Sequence, residues 1–306
     1  MVTAISRPAA QNARGAAHML AGVVLFSFTD AMVKWLAADY PVHQLVFFRT
    51  VFALLPCLFF VARSGGIATL YTRRPLVHLT RGVIGLAAMG CYFYAFAKMD
   101  LADAKALLFS APLFMTVLSI PLLGEKVGIY RWAAVFVGFL GVLVIVKPDG
   151  DVLQVGAVAA IGGAVLYALA VITVRHLSAT ESAASITFHY TLTGALVGIA
   201  LVATFGWVSP TPLDWVLLVS VGVIGGIGQY CLTQAFRYAE AAAIAPLDYL
   251  SMVFALLLGY LVWNDIPGVD VFAGIALVVA SGLFILYRER RLSKVRTSRL
   301  PKVRVR

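Results

Sequence analysis

The sequence predicts an all-α integral membrane protein with ten transmembrane helices. Three observations carry this prediction: apolar residues make up 61% of the 306 residues, charged residues make up only 12%, and the mean hydropathy is +0.93. A soluble domain is usually about one quarter charged. A chain this apolar cannot present its surface to water, so its solvent is lipid.

Ten apolar stretches reach the length of roughly 20 residues that a helix needs to cross a ~30 Å hydrocarbon layer. Charged or turn-forming residues bound each stretch, and the connections are too short to form a soluble domain. The first span has full length and no small-residue cleavage site follows a short apolar core, so no cleaved signal peptide is expected. The predicted spans are 16–37, 42–62, 77–97, 103–123, 128–147, 154–175, 184–205, 213–236, 240–262 and 268–287.

The distribution of Lys and Arg predicts the orientation of these spans. With the N-terminus in the cytoplasm, 19 of the 24 basic residues fall on the inner side, Arg81 among them. The three outer ones are Lys98, Lys105 and Lys147, and the two within spans are Lys34 and Arg49. The protein is therefore expected in a bacterial inner membrane, with both termini in the cytoplasm. The net charge of +10 is then explained by the orientation of the spans in the membrane and not by nucleic-acid binding. For the basic tail, binding to anionic lipid headgroups is the alternative to a purely orienting role.

The two halves of the chain resemble each other. A shift of 141 residues places Lys34 on Arg175, and a shift of 139 residues places Lys98 on Arg237. Five spans per repeat is an odd number, so the second repeat must enter the membrane with the opposite orientation, as in many secondary transporters. The predicted units are a tail at 1–15, repeats at 16–147 and 154–287, and a basic tail at 288–306.

Short segments in both halves resemble those of a known family. They are 26–49, 101–104, 111–114, 124–126, 138–141, 228–230, 245–247, 282–284 and 287–290, together with Ala235 and Tyr249. These segments are similar to members of the drug/metabolite transporter superfamily with EamA domains, over nearly all of residues 16–290. That family includes amino-acid exporters of the YddG type, which this chain resembles, and carriers for riboflavin or S-adenosylmethionine. The resemblance implies two inverted five-helix EamA repeats around a central cavity, lined by helices one, three, four, six, eight and nine.

Charged side chains within spans are costly and are functional candidates by default. Asp30 and Lys34 lie four residues apart and share a helix face. Arg49 lies at a similar depth in the second span, so we expect it to pair with Asp30, with Lys34 as a second partner. The surplus positive charge could attract a substrate carboxylate. A purely structural clamp between the first two helices is the alternative.

Asp248 in the ninth span has no basic neighbour in sequence. It could titrate and couple transport to protons, or it could join a hydrogen-bond network with Gln229, Gln234 or a tyrosine. Pro246 precedes it and Tyr249 follows it. Pro112 and Pro246 occupy corresponding spans, four and nine, and are candidate hinges.

Aromatic and amide side chains offer a lining for small amphipathic solutes, although each of them could equally be a packing residue. Tyr167 stands where the first repeat has Phe26. The substrate-binding candidates are Asp30, Lys34, Arg49, Tyr92, Tyr94, Tyr167, Gln229, Tyr230, Gln234, Asp248 and Tyr249.

Enzymes and channels are disfavoured, since the sequence has no HExxH or Walker A motif and no filter-like loop. No catalytic residue, metal ligand or cofactor is predicted, and the three cysteines fit core packing. We therefore expect a secondary transporter of small metabolites that works by alternating access. Export of amino acids, including aromatic ones, is favoured; uptake of riboflavin or S-adenosylmethionine is the alternative. The expected partners are a small-molecule substrate and membrane lipid, with a monomer favoured and an oligomer left open.

Overall fold

The computed structural model describes residues 9–123, 128–146, 155–177, 180–239, 244 and 247–298. These residues form helices joined by short connections. The α-helices are α1 (Ala9–Leu36), α2 (Val42–Val51), α3 (Leu54–Arg63), α4 (Pro75–Lys98), α5 (Leu101–Leu108), α6 (Ala111–Leu123), α7 (Ile129–Val146), α8 (Val155–Leu177), α9 (Ala183–Phe205), α10 (Pro212–Tyr238), α11 (Leu250–Trp263) and α12 (Val269–Ser298). A 3₁₀ helix spans Gly66–Leu70.

The predicted fold class is confirmed. Within the described ranges, eight helical segments are long and apolar enough to cross a membrane. Two shorter apolar helices, Leu250–Trp263 and Val269–Ile285, match the last two predicted spans. The chain is therefore an all-α, multi-pass membrane protein.

Two of the predicted spans are broken in the middle. The second span divides into α2 and α3 at residues 52–53, and the fourth divides into α5 and α6 at residues 109–110. Pro112 follows the second break and lacks a backbone N–H, which suits the first turn of a new helix and not the interior of an old one. The predicted hinge at Pro112 thus lies directly after a break, whereas Pro246 lies outside the described residues.

Helices of the two halves pack against each other in a symmetric pattern. The first helix of the first half, α1, packs along α10, the third span of the second half. Conversely, α4 packs along α8, which are the third span of the first half and the first span of the second. The pairs α2 with α9, α5 with α11, and α7 with α12 each join corresponding spans. This exchange of partners is the pattern that two repeats related by a pseudo-twofold axis produce.

Helices α2 and α10 also pack against each other, and glycine allows them to approach closely. A Cβ atom on Gly222 of α10 would lie 2.5 Å from the Phe48 carbonyl oxygen of α2. We expect Gly222→Ala to lower the free energy of unfolding by about 1–3 kcal/mol, because backbone on both sides must move. Gly162→Ala is the matched control, since nothing lies within 4 Å of its Cβ position. Equal unfolding free energies for the two variants in detergent micelles would contradict this account.

The bundle has two ends with different polar contacts. The Lys34 end carries the connections 37–41, 99–100, 206–211 and 264–268. There, the Gln44 side chain donates to the Val208 carbonyl (2.7 Å) and accepts from the Val208 N–H (2.9 Å). These bonds tie the first turn of α2 to the connection between α9 and α10.

The His78 end carries residues 64–74 and 180–182. Thr72 donates to the Glu181 carboxylate at 2.7 Å, and His78 Nε2 lies 3.9 Å from the other Glu181 oxygen. The His78 ring also lies 4.3 Å from the His189 ring, centroid to centroid. This cluster joins α4 to α9.

Candidate functional site

The closest ion pair of the described chain lies between α1 and α5. Lys105 Nζ donates to Asp30 Oδ2 at 2.5 Å, and both side chains are mostly buried. Asp248, just before α11, lies within electrostatic range of both groups. Two carboxylates and one ammonium group from both halves of the chain therefore meet between the repeats.

The structure corrects the predicted partner of Arg49. Arg49 is buried, and its Nη2 donates to the Gly225 carbonyl of α10 at 2.9 Å. A side chain on Gly225 would occupy the space of the guanidinium, so this position needs glycine. Arg49 remains within electrostatic range of Asp30, but the predicted direct pair is wrong because Lys105 occupies that carboxylate.

Lys34 also turns away from Asp30, so the predicted sharing of that acid is wrong as well. Its Nζ donates to the Met99 carbonyl at 2.9 Å and lies 3.5 Å from Asp265 Oδ2 and 3.7 Å from Asp100 Oδ1. The Trp263 ring lies 5.2 Å from the same Nζ. Lys34 thus joins α1 to the start of α5 and to the connection between α11 and α12. A pocket of about 240 Å³ opens beside it, lined by Lys34, Ala38, Phe96, Ala97, Lys98, Met99, Asp100 and Trp263.

Three of the candidate tyrosines lie around the charged cluster. Tyr92 of α4 and Tyr167 of α8 have ring centroids 6.0 Å apart, and each lies within electrostatic range of Asp248. Tyr249 stacks on Phe109 at 4.9 Å, at the break between α5 and α6. The lining is therefore aromatic and comes from spans three, four, six and nine.

The other aromatic and amide candidates make different contacts. Tyr230 stacks on Phe60 of α3 at 3.7 Å, and Gln234 donates to the Tyr230 hydroxyl at 2.6 Å. The described contact of Gln229 is its carbonyl, which accepts from Thr233, and Tyr94 lies under Lys98. Tyr230 therefore joins α10 to α3, and Gln234 supports it from the same helix. Neither residue contacts the Asp30–Lys105 ion pair.

Sequence reasoning missed two charged residues, Lys105 and Arg81. The orientation count groups both with the basic residues that flank spans, although both lie inside predicted spans, at 103–123 and 77–97. Arg81 is only 8% exposed, and its guanidinium carbon lies 4.5 Å from the centre of the Tyr190 ring. The cost of charge within a span was the signal that could have identified them.

A comparison with known families decides what kind of protein carries this site. The model of the EamA-like transporter family matches residues 13–147 and 154–287. The chain belongs to this family. It is therefore a membrane transporter of the EamA family, as the resemblance of the sequence implied.

Relatives of this chain are named for several kinds of cargo. The chain is 35% identical to the pseudopaline exporter CntI of Pseudomonas aeruginosa over 84% of its own length and 90% of the exporter. It is 29% identical to an S-adenosylmethionine uptake transporter of Rickettsia bellii (90% and 94% coverage) and 31% identical to a riboflavin transporter of Rhizobium johnstonii (90% and 92%). These relatives do not support the expected likeness to amino-acid exporters of the YddG type.

One solved crystal structure has the same fold. It superimposes with a TM-score of 0.67 over 92% of this chain and 99% of the other, at 20% sequence identity. This likeness concerns the fold alone.

Proposed function

We propose that the protein is a secondary carrier of the inner membrane that exports amino acids, including aromatic ones, by alternating access. The observation that carries this proposal is the buried cluster of Asp30, Lys105 and Asp248 between the repeats. Lys105 pairs with Asp30, Arg49 lies within electrostatic range of Asp30, and within the described residues no base lies within 4 Å of the Asp248 carboxylate. The Asp248 carboxylate therefore favours the ammonium group of a cargo, whereas the sequence indicated a surplus of positive charge; the surrounding tyrosines favour the apolar part of the cargo.

We also propose that the Lys34 end faces the periplasm and the His78 end faces the cytoplasm. The basic residues Arg63, Arg73 and Arg74 lie at the His78 end, and the acids Asp39 and Asp100 lie at the Lys34 end. This distribution supports cytoplasmic termini. A relative named as an exporter supports the outward direction.

Uptake of a larger metabolite is the second candidate, and the charge of the cluster favours one such cargo. S-adenosylmethionine carries a sulfonium cation, which the Asp248 carboxylate would attract as it would an ammonium group. Relatives named for the uptake of this compound support the candidate.

Flux measurements in liposomes test the proposal. With purified protein, we expect saturable, counter-flow-stimulated movement of labelled amino acids, lost in Asp30→Asn. Asp39→Asn is the matched control because that carboxylate is exposed. Movement of riboflavin or S-adenosylmethionine without any amino-acid flux would contradict amino-acid export and favour the alternative.

Asp248 is the candidate for coupling this flux to protons. Its position beside Lys105 and Asp30 lets protonation change the charge of the cluster. We expect flux to vary with pH in the native protein and to lose that dependence in Asp248→Asn, with protein amount and insertion unchanged. The same pH profile in both proteins would exclude this role.

A further inference from the structure

We infer that Arg81, with the rings of Tyr190 and Tyr167, forms a subsite for the carboxylate group of the cargo. The inference rests on the proposed function and assigns one end of the cargo to named residues. The subsite lies on the His78 side of the charged cluster, between α4, α8 and α9.

The direction of the Arg81 side chain is the first argument. Side chains on a helix normally lean toward its N-terminus, and an arginine near the end of a span normally extends to the nearer interface. Both tendencies would direct Arg81 toward Pro75, where α4 begins. Instead, its Nη1 lies where a Cβ atom on Gly85 would be, one turn farther into the span. The absence of a side chain at Gly85 therefore admits the guanidinium toward the middle of the bundle.

The lack of an anionic partner is the second argument. Within the described residues, no carboxylate lies within 4 Å of Arg81, and neither Nε nor Nη1 has a hydrogen-bond partner. The nearby acid at the His78 end, Glu181, accepts from Thr72 and faces His78. The Tyr190 ring offsets only part of the cost of burying this charge. A carboxylate that enters the site would supply two aligned acceptors to the guanidinium fork.

The position of Tyr167 is the third argument. It lies within electrostatic range of both Arg81 and Asp248, and its ring contacts Tyr92. A basic group, Arg81, and an acid without an ion-pair partner in the described residues, Asp248, thus lie near the same aromatic side chain. A zwitterion can lie along the tyrosines with its carboxylate at Arg81 and its ammonium group toward Asp248.

Thermal unfolding of the full chain in detergent, with phenylacetate as the probe, tests the subsite independently of transport. A ligand that binds the folded state raises its unfolding midpoint with concentration. We expect phenylacetate, but not neutral phenylacetamide, to raise the midpoint of the native protein. This response should vanish in Arg81→Met and persist in the control Arg73→Met, where the arginine is exposed. Arg81→Lys should weaken the apparent affinity for phenylacetate by about tenfold, because an ammonium group cannot form the bidentate pair of hydrogen bonds that a guanidinium forms with a carboxylate.

The unliganded variants separate a binding role from a structural one. If Arg81 serves the cargo, Arg81→Met keeps or raises the unfolding midpoint without ligand, since an unpaired buried charge is removed. Gly85→Ala retains the arginine but fills its space, so it should also lose the response to phenylacetate. A lower midpoint for Arg81→Met without ligand, or the native response to phenylacetate in that variant, would overturn the inference.

The proposed function can fail separately. Amino-acid flux without any stabilisation of the native protein by phenylacetate would overturn the subsite alone. Stabilisation by phenylacetate without flux of any zwitterion would support the subsite and overturn the proposed cargo.

Discussion

Replacing Lys105 by methionine is expected to lower the free energy of unfolding by about 3–5 kcal/mol. The Lys105 ammonium group is the base that pairs with Asp30, and Asp248 lies in electrostatic range of both. Its removal breaks the direct ion pair and leaves two carboxylates in a mostly buried site, with Arg49 in electrostatic range of Asp30 but bonded to the Gly225 carbonyl. Reversible unfolding in mixed detergent micelles, followed by circular dichroism, measures the change.

The double variant Asp30→Asn with Lys105→Met isolates the pair itself. Removing both charges should recover most of the loss, so the two single effects should be far from additive. Lys98→Met is the matched control, since Lys98 is an exposed lysine whose described contact is the Tyr94 ring. Additive single effects, or a loss for Lys105→Met no larger than for Lys98→Met, would show that the pair does not stabilise the fold.

Removing the carboxylate of Asp265 is expected to open the Lys34 end about tenfold more often. Lys34 connects α1 with the α11–α12 connection of the other repeat, and the proposed alternating-access cycle must break that contact. Two unit charges about 4 Å apart near a protein surface attract each other by about 4 kcal/mol before the cost of desolvation, and a net loss of about 1.4 kcal/mol changes a population tenfold. Modification of Ala97→Cys, in the pocket beside Lys34, by a membrane-impermeant maleimide reports the opening.

Asp100→Asn is the matched comparison for Asp265→Asn. Asp100 lies at a similar distance from Lys34, but its side chain is 57% exposed against 20% for Asp265. Water screens exposed pairs, so Asp100→Asn should change the labelling rate much less. Labelling that rises equally in both variants, in a background without the native cysteines, would assign the effect to local charge and not to the contact between repeats.

The helices of this protein could be predicted well from the sequence because lipid permits few structures. Span length follows from bilayer thickness, and the apolar stretches were long enough to identify each crossing. The resemblance of the short segments correctly implied the family. The break at residues 109–110 was only suggested by Pro112, since a proline within a span can equally kink an intact helix.

The contacts of the site could not be predicted in the same way. Asp30 had a basic neighbour four residues away in Lys34, yet it pairs with Lys105, which is 75 residues away in sequence. The rotation and tilt of α1 against α5 decide which lysine pairs with Asp30. A helix that is apolar on all faces gives no sequence pattern from which its rotation or tilt can be predicted. The count of basic residues also treated every base near a span end as flanking, which concealed both Lys105 and Arg81.

The exchange of helices between the halves has a consequence for biosynthesis. A ribosome that has made only the first half has produced α1 and α4 without α10 and α8, the helices along which they pack. Asp30 and Lys105 can already neutralise each other in that nascent chain, but Arg81 must await Tyr190 from α9. A chain truncated after residue 146 would thus expose the faces of α1 and α4 that pack on the second half, and it would leave the Arg81 guanidinium in the bilayer without the Tyr190 ring. Premature termination should yield a target for membrane proteases and not a stable five-helix fragment.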